Sequence, residues 1–233
     1  MKKLAIFTSG QSRGSNFQSI YNHIKNNKLD IKIDFVFVTD KTAPIVKKTK
    51  DLGIDVVYYN SEVNLNDFLA ETCLKKPVDL IVLAGFMRRL NLSFFEKVKV
   101  PIINIHPALL PKYGGKGMYG MNVHKAVFQA GERVSGATVH YVNEYYDGGE
   151  VLFKKECDIS FCRNAEEIAE AVLKIEHEIY PKVIKELLSN NLNVKKKLLY
   201  RVYIRPYRLS RMKWNNLNSI VKYRARDYTL RSK

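Results

Sequence analysis

Cysteine is scarce in this 233-residue chain, and its three copies, Cys73, Cys157 and Cys162, lack the close paired spacing of a zinc site. An odd, scattered set also excludes a disulfide framework and fits reduced thiols, so neither a disulfide nor a structural metal is expected. Long apolar runs are missing too. Nothing approaches the ~18 residues of a membrane span, so no membrane partner is expected. Only Leu4, Ala5, Ile6 and Phe7 are apolar before Thr8 and Ser9, short of the ~7 to 15 apolar residues of a secretory leader, and a cytoplasmic location is expected. There is no internal repeat and no Walker lysine motif.

The chain does have enough apolar content, 46%, to bury the core of one ordinary domain. Its net charge of +16 is unevenly placed. From Asn191 onward there are 13 Lys and Arg against one acid, Asp227, leaving 26 bases and 22 acids for the first 190 residues. A body of ordinary charge, 1–190, therefore precedes a basic extension, 191–233, expected to be poorly ordered or helical. Arg201, Arg205 and Arg208 in that extension interleave with Tyr200, Tyr203 and Tyr207, a mixture that suits weak phosphate contact and base stacking. Basic tails are more often simply solvated.

Short apolar runs at 4–8, 35–39, 56–59, 80–83 and 102–105 alternate with amphipathic stretches at 16–26, 44–52 and 65–75. That rhythm predicts an α/β fold: a mostly parallel, Rossmann-like central sheet with helices on both faces. Two strands at 136–143 and 151–157, joined by a turn-rich segment, predict an antiparallel pair at the C-terminal side. Asn164, with Glu167 three residues on, caps a long helix with Ile168, Val172, Ile175 and Ile179 at helical spacing. Pro181 is expected to kink or restart it.

Three local patterns could carry chemistry. Gly10 and Gly14 flank a turn that runs into Ser15 and Asn16 at a helix start, where backbone amides can face an anion. Alone this pattern is as compatible with a flexible turn. Asn104 and His106 lie two apart at a strand end, so they share a side at the carboxyl edge where open α/β sheets bind ligands. An amide donor and an imidazole suit an oxygen that acquires charge in a tetrahedral intermediate. Asp147, in an Asp-Gly-Gly turn, could hold His106 protonated and collect a proton. Taken singly, each reads as readily as a capped strand end, a packed histidine or a plain turn. His124, His140 and Glu176 are polar residues near apolar runs and read as solvated or hydrogen-bonded.

Five segments in order, Leu83-Ala84-Gly85-Phe86-Met87-Arg88, Asn104-Ile105-His106-Pro107-Ala108-Leu109-Leu110-Pro111-Lys112-Tyr113, Val139-His140-Tyr141-Val142, Asp147-Gly148-Gly149 and Glu176-His177-Glu178-Ile179-Tyr180-Pro181, give the chain a strong family resemblance over about residues 1–190. It resembles the phosphoribosylglycinamide formyltransferases, folate-dependent enzymes of purine biosynthesis. The resemblance implies that Asn104, His106 and Asp147 are catalytic. It places the ribonucleotide phosphate on Gly10, Gly14, Ser15 and Asn16, and the glycinamide end on Glu176 with Lys112 close by. The folate pocket would be Met87, Arg88, Arg89 and Leu90 with Asn143 and Glu144. The co-substrate implied is 10-formyltetrahydrofolate, with no metal, and the acceptor is glycinamide ribonucleotide. The protein would act as a monomer or homodimer.

The chain departs from that family in two places. Gly10 and Gly14 are separated by three residues, two more than usual, which puts Arg13 in the phosphate loop. The basic extension is not part of the family pattern. Alternative readings are another folate-dependent formyltransferase, such as one acting on methionyl-tRNA, or a nucleic-acid-binding protein that works through the tail.

Overall fold

The computed structural model describes residues 1–189; the basic extension and its expected order and nucleic-acid contacts lie outside the described residues. Thirteen elements follow one another: β1 (Lys2–Thr8), α1 (Ser15–Asn26), β2 (Ile31–Val38), α2 (Pro44–Asp51), β3 (Asp55–Tyr58), α3 (Leu65–Lys75), β4 (Leu80–Leu83), α4 (Leu92–Lys97), β5 (Ile102–His106), α5 (Met121–Gln129), β6 (Val134–Tyr141), β7 (Val151–Asp158) and α6 (Ala165–Leu188). The strands form one sheet in the order β3-β2-β1-β4-β5-β6-β7. The first five are parallel, whereas β6 and β7 pair antiparallel, as the change of sequence pattern predicts. Chain order reverses between β1 and β4, which opens a crevice beyond their carboxyl ends.

Strand β1 shows why its apolar run is continuous. Leu4 and Ile6 join one buried cluster with Phe17, Ile103, Val172 and Ile179, and Ala5 and Phe7 join a second with Phe37, Leu69 and Phe94. Alternate side chains thus serve opposite faces, and both faces are dry. The second cluster is aromatic: Phe37 lies 5.5 Å from Phe7, 6.2 Å from Phe68 and 6.3 Å from Phe86, ring centroid to centroid. Those rings wedge α3 and the 84–90 loop against the sheet.

Helix α6 begins where expected, with the Asn164 side chain accepting from the Glu167 amide at 2.8 Å. It is a single helix through Pro181 and does not restart. Proline deprives the His177 carbonyl of its usual helical donor, and the Ser19 hydroxyl supplies one at 2.8 Å, joining α1 to α6. Helices α4 and α5 are absent from the sequence reading. Both are short, and their apolar residues give too few turns for a helical period to stand out.

Phe37 tests the aromatic core. Phe37→Ala is expected to lower unfolding free energy by about 3 to 5 kcal/mol in urea titrations at constant slope, and a loss well under 1 kcal/mol would contradict this packing.

Candidate active site

Strand pairing assembles the centre. In the antiparallel register Asn104 stands opposite His140, and His106 stands opposite Thr138. The Asn104 Nδ2 atom lies 3.2 Å from His140 Nε2, while His140 Nδ1 lies 2.8 Å from the Tyr141 carbonyl. A carbonyl only accepts, so Nδ1 carries the proton and Nε2 accepts from Asn104. Burial pushes the His140 pKa below its ordinary value, in keeping with a neutral ring. Asn104 is thereby held with one amide proton on His140 and its second free for an oxygen in front of the strand.

His106 is only 3% exposed. Its Nε2 donates to the Tyr113 carbonyl at 2.7 Å, and its Nδ1 stands 3.5 Å from Asp147 Oδ1. The ring thus has an oxygen acceptor on either side. The Asp147 contact is longer than a good hydrogen bond, and catalytic contacts often tighten only with substrate bound. The second Asp147 oxygen, Oδ2, accepts from the Gly115 amide at 2.9 Å, and Oδ1 lies 3.6 Å from His140 Nε2. Asp147 itself has φ 52°, a left-handed conformation that Asp tolerates better than most residues. Two residues on, a Cβ on Gly149 would lie 1.7 Å from the Tyr141 carbonyl oxygen, so only glycine lets the 142–150 loop fold back this closely.

A cavity of about 570 Å³ opens before this trio. Its lining includes Met87, Arg88, Arg89, Leu90, Asn143 and Glu144, all six of the residues expected to hold folate. Arg89 bridges the two loops by donating to the Glu144 carbonyl at 3.1 Å. Asn16 and Glu176 also line the cavity. Glu176 is buried, accepts from Asn16 Nδ2 at 2.7 Å, and burial pushes its pKa up to about 7 against the effect of that bond. Its height on α6 is fixed one turn away, where the buried Tyr180 hydroxyl reaches the carbonyls of Leu83 at 2.8 Å and Ile103 at 3.1 Å.

The remaining expected residues stand outside the cavity wall. Gly10 donates its amide to Thr39 Oγ1 at 2.9 Å. Gly14, at φ 71°, precedes α1, and a Cβ there would lie 2.8 Å from Ile45 Cγ1. Ser15 borders a second hollow shared with Lys48 and His177. Helix α1 has no side-chain cap, which leaves its first amides available to an anion. Lys112 is exposed and pairs with Glu132 at 3.1 Å.

Two cavity residues were read in the sequence as ordinary polar residues. His140 could have been found from period two on β6, since the register that sets it opposite Asn104 offers it a partner. His124, 6% exposed on α5, has a buried Nδ1 without a hydrogen-bond partner, and burial pushes its pKa down to about 4. With α5 unseen, nothing in the sequence pointed to it. Among the described residues no three His, Cys, Asp or Glu side chains cluster as metal ligands, and no helix is long and apolar enough to cross a membrane.

An amide, an imidazole and a carboxylate converge at the carboxyl edge of a Rossmann-like sheet, an arrangement suited to meeting charge that develops on a carbonyl oxygen. The profile of the formyl transferase family matches residues 2–184, and the chain belongs to that family. It is 36% identical over 196 residues to the chloroplastic phosphoribosylglycinamide formyltransferase of Vigna unguiculata, covering 82% of this chain and 62% of that one. It thus spans less than two thirds of that plant protein's length. The phosphoribosylglycinamide formyltransferase of Haemophilus influenzae is 33% identical over 205 residues, covering 86% of this chain and 93% of that protein. The crystal structure of phosphoribosylglycinamide formyltransferase from Bacillus halodurans superposes with a TM-score of 0.73 at 28% identity, over 82% of this chain and 98% of that one.

Glu176 gives a test independent of turnover. A carboxyl raised from 4.5 to about 7 contributes stability that is fully present below 4.5 and lost as pH rises through 7. Relative to wild type, Glu176→Gln is expected to gain about 2 to 3 kcal/mol between pH 5 and pH 8 in urea unfolding; a difference that stays constant with pH would contradict the burial argument.

Proposed function

We propose that the chain transfers the formyl group of 10-formyltetrahydrofolate to the amine of glycinamide ribonucleotide, a step of purine biosynthesis that yields the formylated ribonucleotide and tetrahydrofolate. The observation that carries this reading is the cavity itself, which the trio lines together with the six residues expected to hold folate and with Asn16 and Glu176. Support from relatives is the shared name of the plant and bacterial proteins.

In this reading the substrate amine attacks the formyl carbon directly and no covalent enzyme intermediate forms. The free Asn104 amide proton and the His106 Nδ1 proton meet the oxygen as it gains charge. Asp147 keeps the ring charged, takes up the amine's proton directly or through water, and returns it to the folate nitrogen as the bond between that nitrogen and the formyl carbon breaks, which releases tetrahydrofolate. Glu176 receives the glycinamide end, and Met87 to Leu90 with Asn143 and Glu144 hold the folate. Gly10, Gly14, Ser15 and Asn16 bind the phosphate through the uncapped start of α1, and Lys112 assists near the ribonucleotide. Arg13, exposed in the lengthened loop, adds a charge-assisted bond to the phosphate. All these groups belong to one chain, so a monomer or a homodimer can carry the reaction. The three free thiols support a reducing, cytoplasmic setting.

Tetrahydrofolate release by purified protein, followed with and without glycinamide ribonucleotide, tests the assignment. Release should require the ribonucleotide and fall about 100-fold or more in His106→Ala and in Asp147→Asn. Release without the ribonucleotide would indicate a hydrolase, and none in a folded sample would remove the assignment. For the phosphate, Arg13→Ala is expected to raise KM for the ribonucleotide roughly three- to tenfold at unchanged kcat. An unchanged KM would remove Arg13 from the site.

A further inference from the structure

The segment 112–115 touches both members of the His106–Asp147 pair with its backbone. The Tyr113 carbonyl accepts from His106 Nε2 at 2.7 Å, and the Gly115 amide donates to Asp147 Oδ2 at 2.9 Å. Between them, Gly114 has no room for a side chain, since a Cβ would lie 2.5 Å from Leu110 Cδ2 and 3.4 Å from Asp147 Cβ. Tyr113 sits at φ 56°, in the left-handed region that a bulky residue avoids unless something holds it there.

What holds it lies outside the cavity. The Tyr113 hydroxyl donates to Glu132 Oε1 at 2.8 Å, and Lys112 Nζ donates to the same oxygen at 3.1 Å. Glu132 belongs to the turn between α5 and β6, and its own amide is tied to the Val127 carbonyl at 3.4 Å. Burial, with Glu132 beside it, pushes the Tyr113 phenol up, so the hydroxyl keeps the proton it donates. The bonds from Tyr113 and Lys112 hold Glu132 below the usual carboxylate range. The anchor is therefore a charge-assisted hydrogen bond.

We infer that Tyr113 and Glu132 are positioning residues for the transfer: their bond pins the left-handed Tyr113 so that its carbonyl occupies His106 Nε2 and aims Nδ1 at Asp147 and the cavity. This rests on the reading of His106 and Asp147 as the reacting pair. Neither anchor side chain lines the cavity, so the effect reaches the reaction only through the orientation of the ring.

Three variants of the full chain test this. Tyr113→Phe removes only the hydroxyl, Glu132→Ala removes its acceptor, and Glu132→Gln keeps an acceptor oxygen. Tyr113→Phe and Glu132→Ala should lower kcat roughly 10- to 100-fold, with KM for both substrates within about twofold. In ring-15N-labelled protein both should speed exchange of the His106 Nε2 proton with solvent, which a merely structural role would leave unchanged. Glu132→Gln should stay within about threefold of wild type on both measures. Unchanged kcat in either folded variant, or a kcat loss without faster exchange, would overturn the inference. If Tyr113→Phe does not fold, the two Glu132 variants decide. A wild-type protein that shows no turnover removes the proposed function, and exchange of the Nε2 proton still decides whether the anchor holds the ring.

Discussion

The antiparallel pairing of β5 with β6 positions Asn104 and His106, the two donors that face the proposed formyl carbon. Asn104 reaches His140 because the two residues stand opposite each other, and His106 meets Thr138 one step further along. Thr138 is fully buried; its hydroxyl donates to the Ala108 carbonyl at 2.6 Å and accepts from the Leu110 amide at 3.1 Å. That bond fixes the chain leaving β5, and with it the course of residues 112–115. A slip of one residue would send Asn104 and His106 to the opposite face of the sheet. The register is protected against such a slip by buried Ile103, Ile105, Ala137 and Val139 between the polar positions.

Around this pairing, long-range bonds hold the walls of the cavity at fixed height. Tyr180 links α6 to the ends of β4 and β5, and Asn16 links α1 to Glu176. Ser9 Oγ accepts from the Met87 amide at 2.8 Å, joining the loops after β1 and β4. These contacts span 77 to 160 residues of sequence. The cost of ordering them is met by the two apolar clusters, so the polar site rests on a core that contains none of its chemistry.

Much of this was legible in the sequence. Continuous apolar runs separated by amphipathic stretches announce a buried parallel sheet, and the change to two strands without a helix announces the antiparallel pair. Asn104 and His106 were legible as a pair because period two on a strand is a strictly local rule. Asp147 was not, since its approach to His106 depends on Gly149 packing against the Tyr141 carbonyl across a nine-residue loop. His124 and the Tyr113 carbonyl were also out of reach: one sits on a helix too short to show a period, and the other acts through backbone whose direction a side-chain pattern does not encode. For Asp147 the family resemblance supplied what local spacing left open.

The most direct test of the account is a crystal structure of the protein with glycinamide ribonucleotide and a folate analogue that cannot release its formyl-like carbon. That carbon is expected within about 3 to 3.5 Å of the ribonucleotide amine, with its oxygen in hydrogen-bonding reach of Asn104 Nδ2 and His106 Nδ1 and the amine near Asp147. A complex in which the carbon lies beyond reach of Asn104 and His106, or the ribonucleotide binds away from Glu176, would contradict it.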